Sequence, residues 1–292
     1  MKPEWLRVPF KRGDNFHEIR DNLRARSLHT VCEEASCPNL SECWHARTAT
    51  FMIMGDTCTR GCRFCHIKTG NPGGYLDPDE IRNTAEMVGL MNLRYVVLTS
   101  VDRDDLPDQG AGHFAAVIRA IHDQYPETSV EALVPDFGGD AERMATLAAS
   151  RPFVVGQNLE TVRRLTHPVR DIRASYDLSL KCLKFYKENF PEIRTKSSLM
   201  VGLGETMAEL AEAMDDLRAV DVDVVTFGQY LQPTKKHLEV EKFYTPSEFN
   251  ELRRMAYERG FQFVASGPLV RSSYRAADFL DYLEGRKELD KG

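Results

Sequence analysis

Along the chain, short runs of β-branched and other apolar residues alternate with stretches whose apolar positions recur every three or four residues. The runs predict strands over Thr50 to Gly55, Tyr95 to Val101, Ser129 to Asp136, Phe153 to Gln157, Ser197 to Gly202 and Val224 to Leu231. The stretches between them predict helices: Leu210, Met214 and Leu217, at i, i+4 and i+7, set one apolar stripe along a helix face. Asp77-Pro78 and Ser247 with Glu248 offer helix-start chemistry, and Gly260 offers a stop. Six such alternations imply parallel strands, because these need crossover connections, and helices then cover the sheet. The polar residues favour a barrel over an open sheet. They fall after the strands, in Asp56 to Cys65, Asp102 to Gly112, Asn158 to Thr161 and Gly204 to Thr206, and the loops at the carboxyl ends of barrel strands build the active site. The expected organisation is α/β: an N-terminal extension over residues 1–49, a partial (β/α)6 TIM-like barrel over 50–260 and a C-terminal extension over 261–292.

Composition narrows the class. The 292 residues contain no stretch of eighteen apolar residues, so no membrane span is expected. A formal net charge of -6 supplies no basic stripe to neutralise phosphates, so no nucleic-acid partner is expected. The first residues have no apolar core of a signal peptide, and Glu4 and Asp14 do not suit a transit peptide, which predicts a cytoplasmic protein. Lys235-Lys236-His237 and Arg163-Arg164 read as solvated faces, able to meet an acidic protein partner.

Of seven cysteines, six crowd between Cys32 and Cys65. They form two triplets, Cys32-x4-Cys37-x5-Cys43 and Cys58-x3-Cys62-x2-Cys65, whereas Cys182 stands alone among apolar residues and reads as a buried, inert thiol. A disulfide framework suits small secreted chains and not a long cytosolic one. Structural zinc wants four ligands; three plus three is the wrong count, although His45 or His66 could complete a set. A cubane iron-sulfur cluster has four irons, so three thiolates leave one iron open to another ligand.

Cys58-x3-Cys62-x2-Cys65, directly after the first predicted strand, resembles the signature of the radical S-adenosylmethionine (radical SAM) enzymes. In that superfamily the three cysteines hold a [4Fe-4S] cluster whose fourth iron is chelated by S-adenosylmethionine, and reductive cleavage of the cofactor gives a hydrogen-abstracting radical. Within the superfamily the chain is similar to the lipoyl synthase family from about Thr30 to Ala276. The blocks that carry the likeness are the first cysteine triplet, Leu98 to Leu106, Val134 to Phe137, Asn158 to Val162, Thr195 to Ser197, Gly202 to Thr206, Gly228 to Pro233 and Arg271-Ser272-Ser273-Tyr274.

The resemblance implies a partial barrel of the radical SAM type, two [4Fe-4S] clusters and S-adenosylmethionine. It further implies that Cys32, Cys37 and Cys43 hold an auxiliary cluster with Ser273 as fourth ligand, Ser272 being the fallback. The implied reaction places sulfur at C6 and C8 of an octanoyl-lysine on a lipoyl carrier protein or domain, the auxiliary cluster donating the sulfur. An electron donor such as a flavodoxin or ferredoxin, and an iron-sulfur carrier for cluster repair, are implied partners. By analogy Thr99, Ser100 and Asp102 lie near the methionine end of the cofactor, and Asn158 and Glu160 near its ribose or sulfonium. Arg271 holds the serine motif or a cofactor carboxylate, since guanidinium suits bidentate carboxylates. Two departures stand out: Gln157 precedes Asn158 where the family usually has histidine, and Arg163 follows Val162 where it has proline. They leave open a paralogue with a shifted substrate. A different radical SAM sulfur-inserting or methylthiolating enzyme would share the second triplet, but has no need of the first together with Arg271 to Tyr274. A non-catalytic iron-sulfur or zinc protein has no need of two incomplete cysteine sets.

Overall fold

The computed structural model describes residues 3–6, 14–34, 37, 39–40, 50–274 and 276–288, so Cys43 and His45 lie outside the described residues. The chain divides into two compact units, Val8–Gly61 with His66–Phe153, and Met1–Arg7 with Cys62–Cys65 and Val154–Gly292. No helix among the described residues is long and apolar enough to cross a membrane.

The unit built from Val8–Gly61 and His66–Phe153 contains, in chain order, α1 (Asp14–Ala25), β1 (His29–Thr30), α2 (Val31–Glu34), β2 (Thr50–Ile53), β3 (Thr57–Cys58), β4 (Lys68–Thr69), α3 (Glu80–Leu90), β5 (Tyr95–Ser100), α4 (Ala111–Gln124), β6 (Ser129–Leu133) and α5 (Ala141–Ala148). Strands β2, β5 and β6 are parallel, with Thr50 opposite Val97 and Tyr95 opposite Ser129. β1 adds to β2 antiparallel, and β3 and β4 form a separate short pair. The long strands read as unbroken apolar runs because both faces are covered: Phe51, Ile53, Val96 and Leu98 are buried, as are Phe114 and Ile118 of α4.

Strand β2 stops at Ile53, two residues before the predicted end. Met54 turns into the left-handed region at φ +67°, which removes it from the ladder. Its backbone groups are met by side chains instead. Its amide donates to both carboxylate oxygens of Glu80, at 2.9 and 2.8 Å, and its carbonyl accepts from Arg103 Nη1 at 3.2 Å. Glu80 is in turn held 2.6 Å from His113 Nε2, and the fully buried Arg103 makes two 2.8 Å bonds to Asp105. The polypeptide therefore leaves β2 toward Cys58 along a fixed path.

The second unit contains β7 (Val154–Gly156), α6 (Thr166–Val169), α7 (Tyr176–Asn189), β8 (Arg194–Val201), α8 (Met207–Ala219), β9 (Val224–Gln229), α9 (Pro246–Glu258), β10 (Phe263–Gly267) and α10 (Ala277–Leu283). Strands β7 to β10 pair in order and all in parallel. The stripe Leu210, Met214, Leu217 on α8 is buried, and Cys182 is buried on α7. Helix α9 begins earlier than expected: Thr245 is the cap, its hydroxyl accepting from Glu248 N and its amide donating to the Glu248 carboxylate, with Pro246 in the first turn. Asp77 acts by accepting from Asp79 N at 2.9 Å, in the turn ahead of α3. Strand β10 falls in the segment expected to be an extension. Its sequence, Phe263-Val264-Ala265-Ser266-Gly267, has too few β-branched or aromatic residues to announce a strand, and pairing with β9 forms it.

The turn after β8 shows how this unit fixes its loops. Glu205 folds back to accept from the amides of Gly202 (2.6 Å) and Leu203 (2.9 Å). Gln229 Nε2 donates to the carbonyls of Val201 and Lys242, and its Oε1 accepts from Tyr244 N at 2.8 Å. Gly202 sits at φ +107°, and a Cβ there would stand 2.2 Å from Gln229 Nε2 and 2.5 Å from the Lys242 carbonyl oxygen. Gly202→Ala is therefore expected to destabilise the fold by about 2 kcal/mol or more through strain at that backbone conformation plus the collision. Chemical denaturation of the two proteins checks this, and an unchanged midpoint would contradict it.

Candidate functional site

The first thiol of the second triplet is shaped by its own backbone and by the end of β5. Cys58 lies at the end of β3, its carbonyl accepting from Gly70 N at 2.9 Å. Its Sγ accepts from Arg60 N at 3.4 Å and from Asp102 N at 3.3 Å, and stands 3.8 Å from Asp102 Oδ2, to which the thiol donates. Two amides aimed at sulfur favour the thiolate and temper a metal bound to it. That donor set fits an iron-sulfur cluster ligand.

Arg60 locks this segment. Its guanidinium is buried and makes two bidentate pairs: Nε and Nη2 to Asp104 at 3.0 and 2.9 Å, and Nη1 and Nη2 to Asp136 at 2.6 and 2.9 Å. Asp102 stands 3.5 Å away. Burial alone would ease the proton off, but the hydrogen bonds to Asp136 and Asp104 and the three negative charges hold Arg60 firmly protonated. Thr59 completes the attachment, its amide donating to the Asp102 carbonyl at 3.0 Å. The sequence does not single out Arg60, although Asp104 and Asp136 fall within the blocks that carry the family likeness. A lone arginine between cysteines carries no periodic or spacing signal.

Cys62 and Cys65 belong to the other unit and are held there independently. Cys62 Sγ accepts from Asp171 N at 3.2 Å, Arg63 N donates to the Val169 carbonyl at 2.9 Å, and Cys65 N closes on the Cys62 carbonyl at 3.1 Å. Phe64, one of the two residues between these thiols, packs against the apolar core of that unit and anchors the segment. From the loop after β9, Leu238 N donates to the Arg63 carbonyl at 3.4 Å, and His237 Nε2 lies 3.0 Å from the Cys65 carbonyl oxygen. Lys235-Lys236-His237 is thus not the uniformly solvated face that its charge pattern suggests. Lys235 and Lys236 are exposed, but His237 is half-buried against the cysteine segment. Arg163 and Arg164 are exposed and paired with Asp177, Asp216 and Glu209.

In the first triplet, Cys32 is buried on α2 and Cys37 half-buried, and Cys37 N donates to the Cys32 carbonyl at 3.1 Å. Cys43 lies outside the described residues. His66, just past the second triplet, sets Nδ1 3.0 Å from the Glu34 carbonyl oxygen on α2. Among the described residues no three of His, Cys, Asp and Glu gather around a single metal position.

The expected cofactor contacts divide between the units. Thr99 and Ser100 end β5; Thr99 is buried, and Ser100 Oγ is a buried hydroxyl with no hydrogen-bond partner among the described residues. Gln157, in the other unit, is buried with Oε1 likewise unpartnered. Orphaned buried acceptors of this kind are costly unless a ligand or water meets them, so both positions suit a polar ligand. Asn158 donates from Nδ2 to Glu160 Oε1 at 3.0 Å. Glu160 adopts φ +67° and is clamped to β8, its amide donating to Ser198 O at 3.0 Å and its carbonyl accepting from Met200 N at 2.9 Å. Burial pushes its carboxyl up from the usual range, more than Arg170 and the Asn158 amide pull it down. Arg271 donates from Nη1 to the carbonyls of Gln229 (3.2 Å) and Val270 (2.8 Å), opening the turn in which Ser273 lies half-buried. That turn can seat only because residue 228 is glycine: a Cβ there would meet the Val270 carbonyl oxygen at 2.1 Å.

A model of the radical SAM superfamily matches residues 52–217, and a model of the N-terminal domain of lipoyl synthase matches residues 1–37. The lipoyl synthase of Deinococcus radiodurans is 56% identical over 299 residues, covering 99% of this chain and 90% of that protein. The lipoyl synthase of Ectopseudomonas mendocina is 56% identical over 275 residues, covering 94% and 79%. Among solved structures, methylornithine synthase (PylB) superposes with a TM-score of 0.57 at 14% identity, over 85% of this chain and 74% of that one. The FeFe-hydrogenase maturase HydG from Carboxydothermus hydrogenoformans gives 0.56 at 11% identity, over 85% and 56%. At such identities these structures bear on fold alone, and the fold is a partial α/β barrel of the radical SAM type.

Glu160 makes the stability of the fold depend on pH. Its folded pKa is raised, so the folded chain holds this proton longer than the unfolded chain does. Stability from this group is then full below the ordinary carboxylate range and declines as pH rises through the raised value. Glu160→Gln cannot ionise. It should match the parent's denaturation midpoint near pH ~4 and exceed it near pH ~8, on either side of that window. A variant less stable than the parent at the higher pH would mean that Arg170 outweighs burial.

Proposed function

Because this chain belongs to the lipoyl synthase family of the radical SAM superfamily, we propose that it inserts sulfur at C6 and C8 of an octanoyl chain carried in amide linkage on a lysine of a lipoyl carrier protein, giving the lipoyl group. The observation that carries the reading is a near-full-length likeness to lipoyl synthases in a chain that has both cysteine triplets and Arg271-Ser272-Ser273-Tyr274. The carbons concerned have no acidic proton, so a base cannot begin the reaction. When bound, S-adenosylmethionine and a [4Fe-4S] cluster at Cys58, Cys62 and Cys65 supply the one-electron chemistry that takes hydrogen from such carbons. A second cluster, held by Cys32, Cys37, Cys43 and Ser273, is the sulfur substrate.

The protein's own groups bind and orient. The amides of Arg60 and Asp102 on Cys58 Sγ, and of Asp171 on Cys62 Sγ, support the charged form of the thiols that iron requires. Thr99, Ser100 and Asp102 are assigned to the methionine end of the cofactor, and Asn158 and Glu160 to its ribose and sulfonium. A sulfonium beside Glu160 would draw its carboxyl back into the ionised state, so this residue gains a charge partner when the cofactor arrives. Arg271 commits Nη1 to two main-chain carbonyls, which supports the reading that it holds the serine turn. A serine alkoxide is a harder donor than thiolate and suits an iron that must be released. The electron donor is assigned to the flavodoxin or ferredoxin class, and an iron-sulfur carrier to rebuilding the second cluster.

Anaerobically reconstituted protein should hold about eight irons, roughly four per cluster. Replacing Cys58, Cys62 and Cys65 by alanine should remove about half of this iron and all cleavage of S-adenosylmethionine, whereas replacing Cys32, Cys37 and Cys43 should leave cleavage intact and abolish sulfur insertion. Mass spectrometry of an octanoyl-lysine peptide reads the product, which without a repair system should not exceed about one per chain because the cluster is consumed. Zinc without iron after anaerobic isolation, or many turnovers from an intact second cluster, would defeat the reading.

A further inference from the structure

We propose that His237 is a positioning residue for the cluster at Cys58, Cys62 and Cys65: its imidazole, held in orientation by Thr234, donates from Nε2 to the Cys65 carbonyl and fixes the backbone from which that thiolate reaches iron. The inference rests on the assignment of this triplet to a cluster.

The protonation pattern follows from the partners. A main-chain carbonyl only accepts, so the 3.0 Å contact from Nε2 to Cys65 O requires hydrogen on Nε2. Nδ1 faces the Thr234 hydroxyl 2.8 Å away, and this second contact holds the ring in that orientation. The ring is presented by a loop that closes on itself. His237 N donates to the Thr234 carbonyl at 3.0 Å, Lys236 N to Thr234 Oγ1 at 3.3 Å and Gln232 Nε2 to the His237 carbonyl at 2.9 Å. Tyr230 Oη donates to the Leu238 carbonyl at 2.8 Å and ties the loop's far end to the residue that follows β9.

What this achieves at Cys65 is geometric. Peptide units are rigid planes, so the direction of a Cα–Cβ bond is set by the two planes that flank it. The plane before Cys65 is fixed by its amide's bond to Cys62 O, and the plane after it by His237 on its carbonyl. With both planes held, the thiol has only its χ1 rotation left. Cys62 has a sulfur-directed amide, from Asp171, as its support. The backbone grip from His237 is the corresponding support for Cys65.

The test uses the full chain carrying Cys32→Ala, Cys37→Ala and Cys43→Ala, in which retained iron reports on the remaining triplet alone. Iron release to a chelator, the electron paramagnetic resonance spectrum of the reduced cluster and the thermal midpoint are measured for this parent and for added His237→Ala, His237→Gln and Thr234→Val. His237→Ala should release iron about tenfold faster, the usual scale for groups that orient a metal ligand, with an altered spectrum and a thermal midpoint close to the parent's. His237→Gln, whose amide can reach the same carbonyl, should restore slow release, and Thr234→Val, which frees the ring to turn over, should fall between parent and His237→Ala. Parental release and spectrum in His237→Ala would overturn the proposal. So would a glutamine variant no better than alanine with both melting early, as expected of a merely structural residue. If His237→Ala does not fold, parental release from Thr234→Val overturns it instead. A parent that binds no iron would overturn the cluster assignment itself, and is thereby told apart from failure at His237 alone.

Discussion

Arg60 is the group on which the arrangement around Cys58 depends, because one guanidinium is shared by carboxylates from two different loops. Asp104 follows β5 and Asp136 follows β6, and both meet Arg60 two oxygens at a time. Each acidic partner is fixed separately: Asp104 also accepts from the Thr59 hydroxyl at 2.8 Å and Asp136 from Gly138 N at 2.9 Å. Asp136 is buried, and a buried carboxylate that loses its cation costs the fold about 3–5 kcal/mol, so its loop cannot release Arg60 alone. The planar fork matters as much as the charge, since lysine cannot satisfy four oxygens in fixed directions. Cys58 takes its place as a by-product of this geometry, through the amides of Arg60 and Asp102.

Much of the architecture is legible in the sequence because its cause is local. The apolar runs of β5 and β9 and the stripe on α8 are read from one stretch of chain at a time. What escapes such a reading is set by distant partners. Strand β10 exists because β9 offers it an edge, and Met54 leaves β2 because Glu80 and Arg103 take up its backbone groups. The helix start at Thr245 lies two residues before the signal at Ser247, where the serine and the following glutamate make a plausible but incomplete cap.

The candidate site divides in the same way. Cysteine spacing is a strong local code, and the triplets are visible from it. The groups that aim the thiols leave no such trace. An amide of Asp171, a carbonyl of Val169 and the ring of His237 become relevant only when the chain has folded. The blocks that carry the family likeness also prove to be largely fastenings: Glu205 and Gln229 hold backbone amides and carbonyls, and Gly228 makes room for the turn bearing Ser273. Sequence likeness thus marks segments without telling which of their residues fasten the backbone.

The separations along the chain give the cysteine segment a history. Arg60 waits for Asp136, 76 residues on; Cys62 for Asp171, 109 residues on; and Cys65 for His237, 172 residues on. Such non-local contacts form only after the strands that deliver them have paired, since loop closure must come first. In a zinc finger the metal nucleates its own small domain, whereas a cluster at Cys58, Cys62 and Cys65 would enter a holder whose fastenings come from far along the chain. Iron would arrive late, into a largely finished protein, and a chain emerging from the ribosome would expose its reactive thiols until nearly all of it had been made.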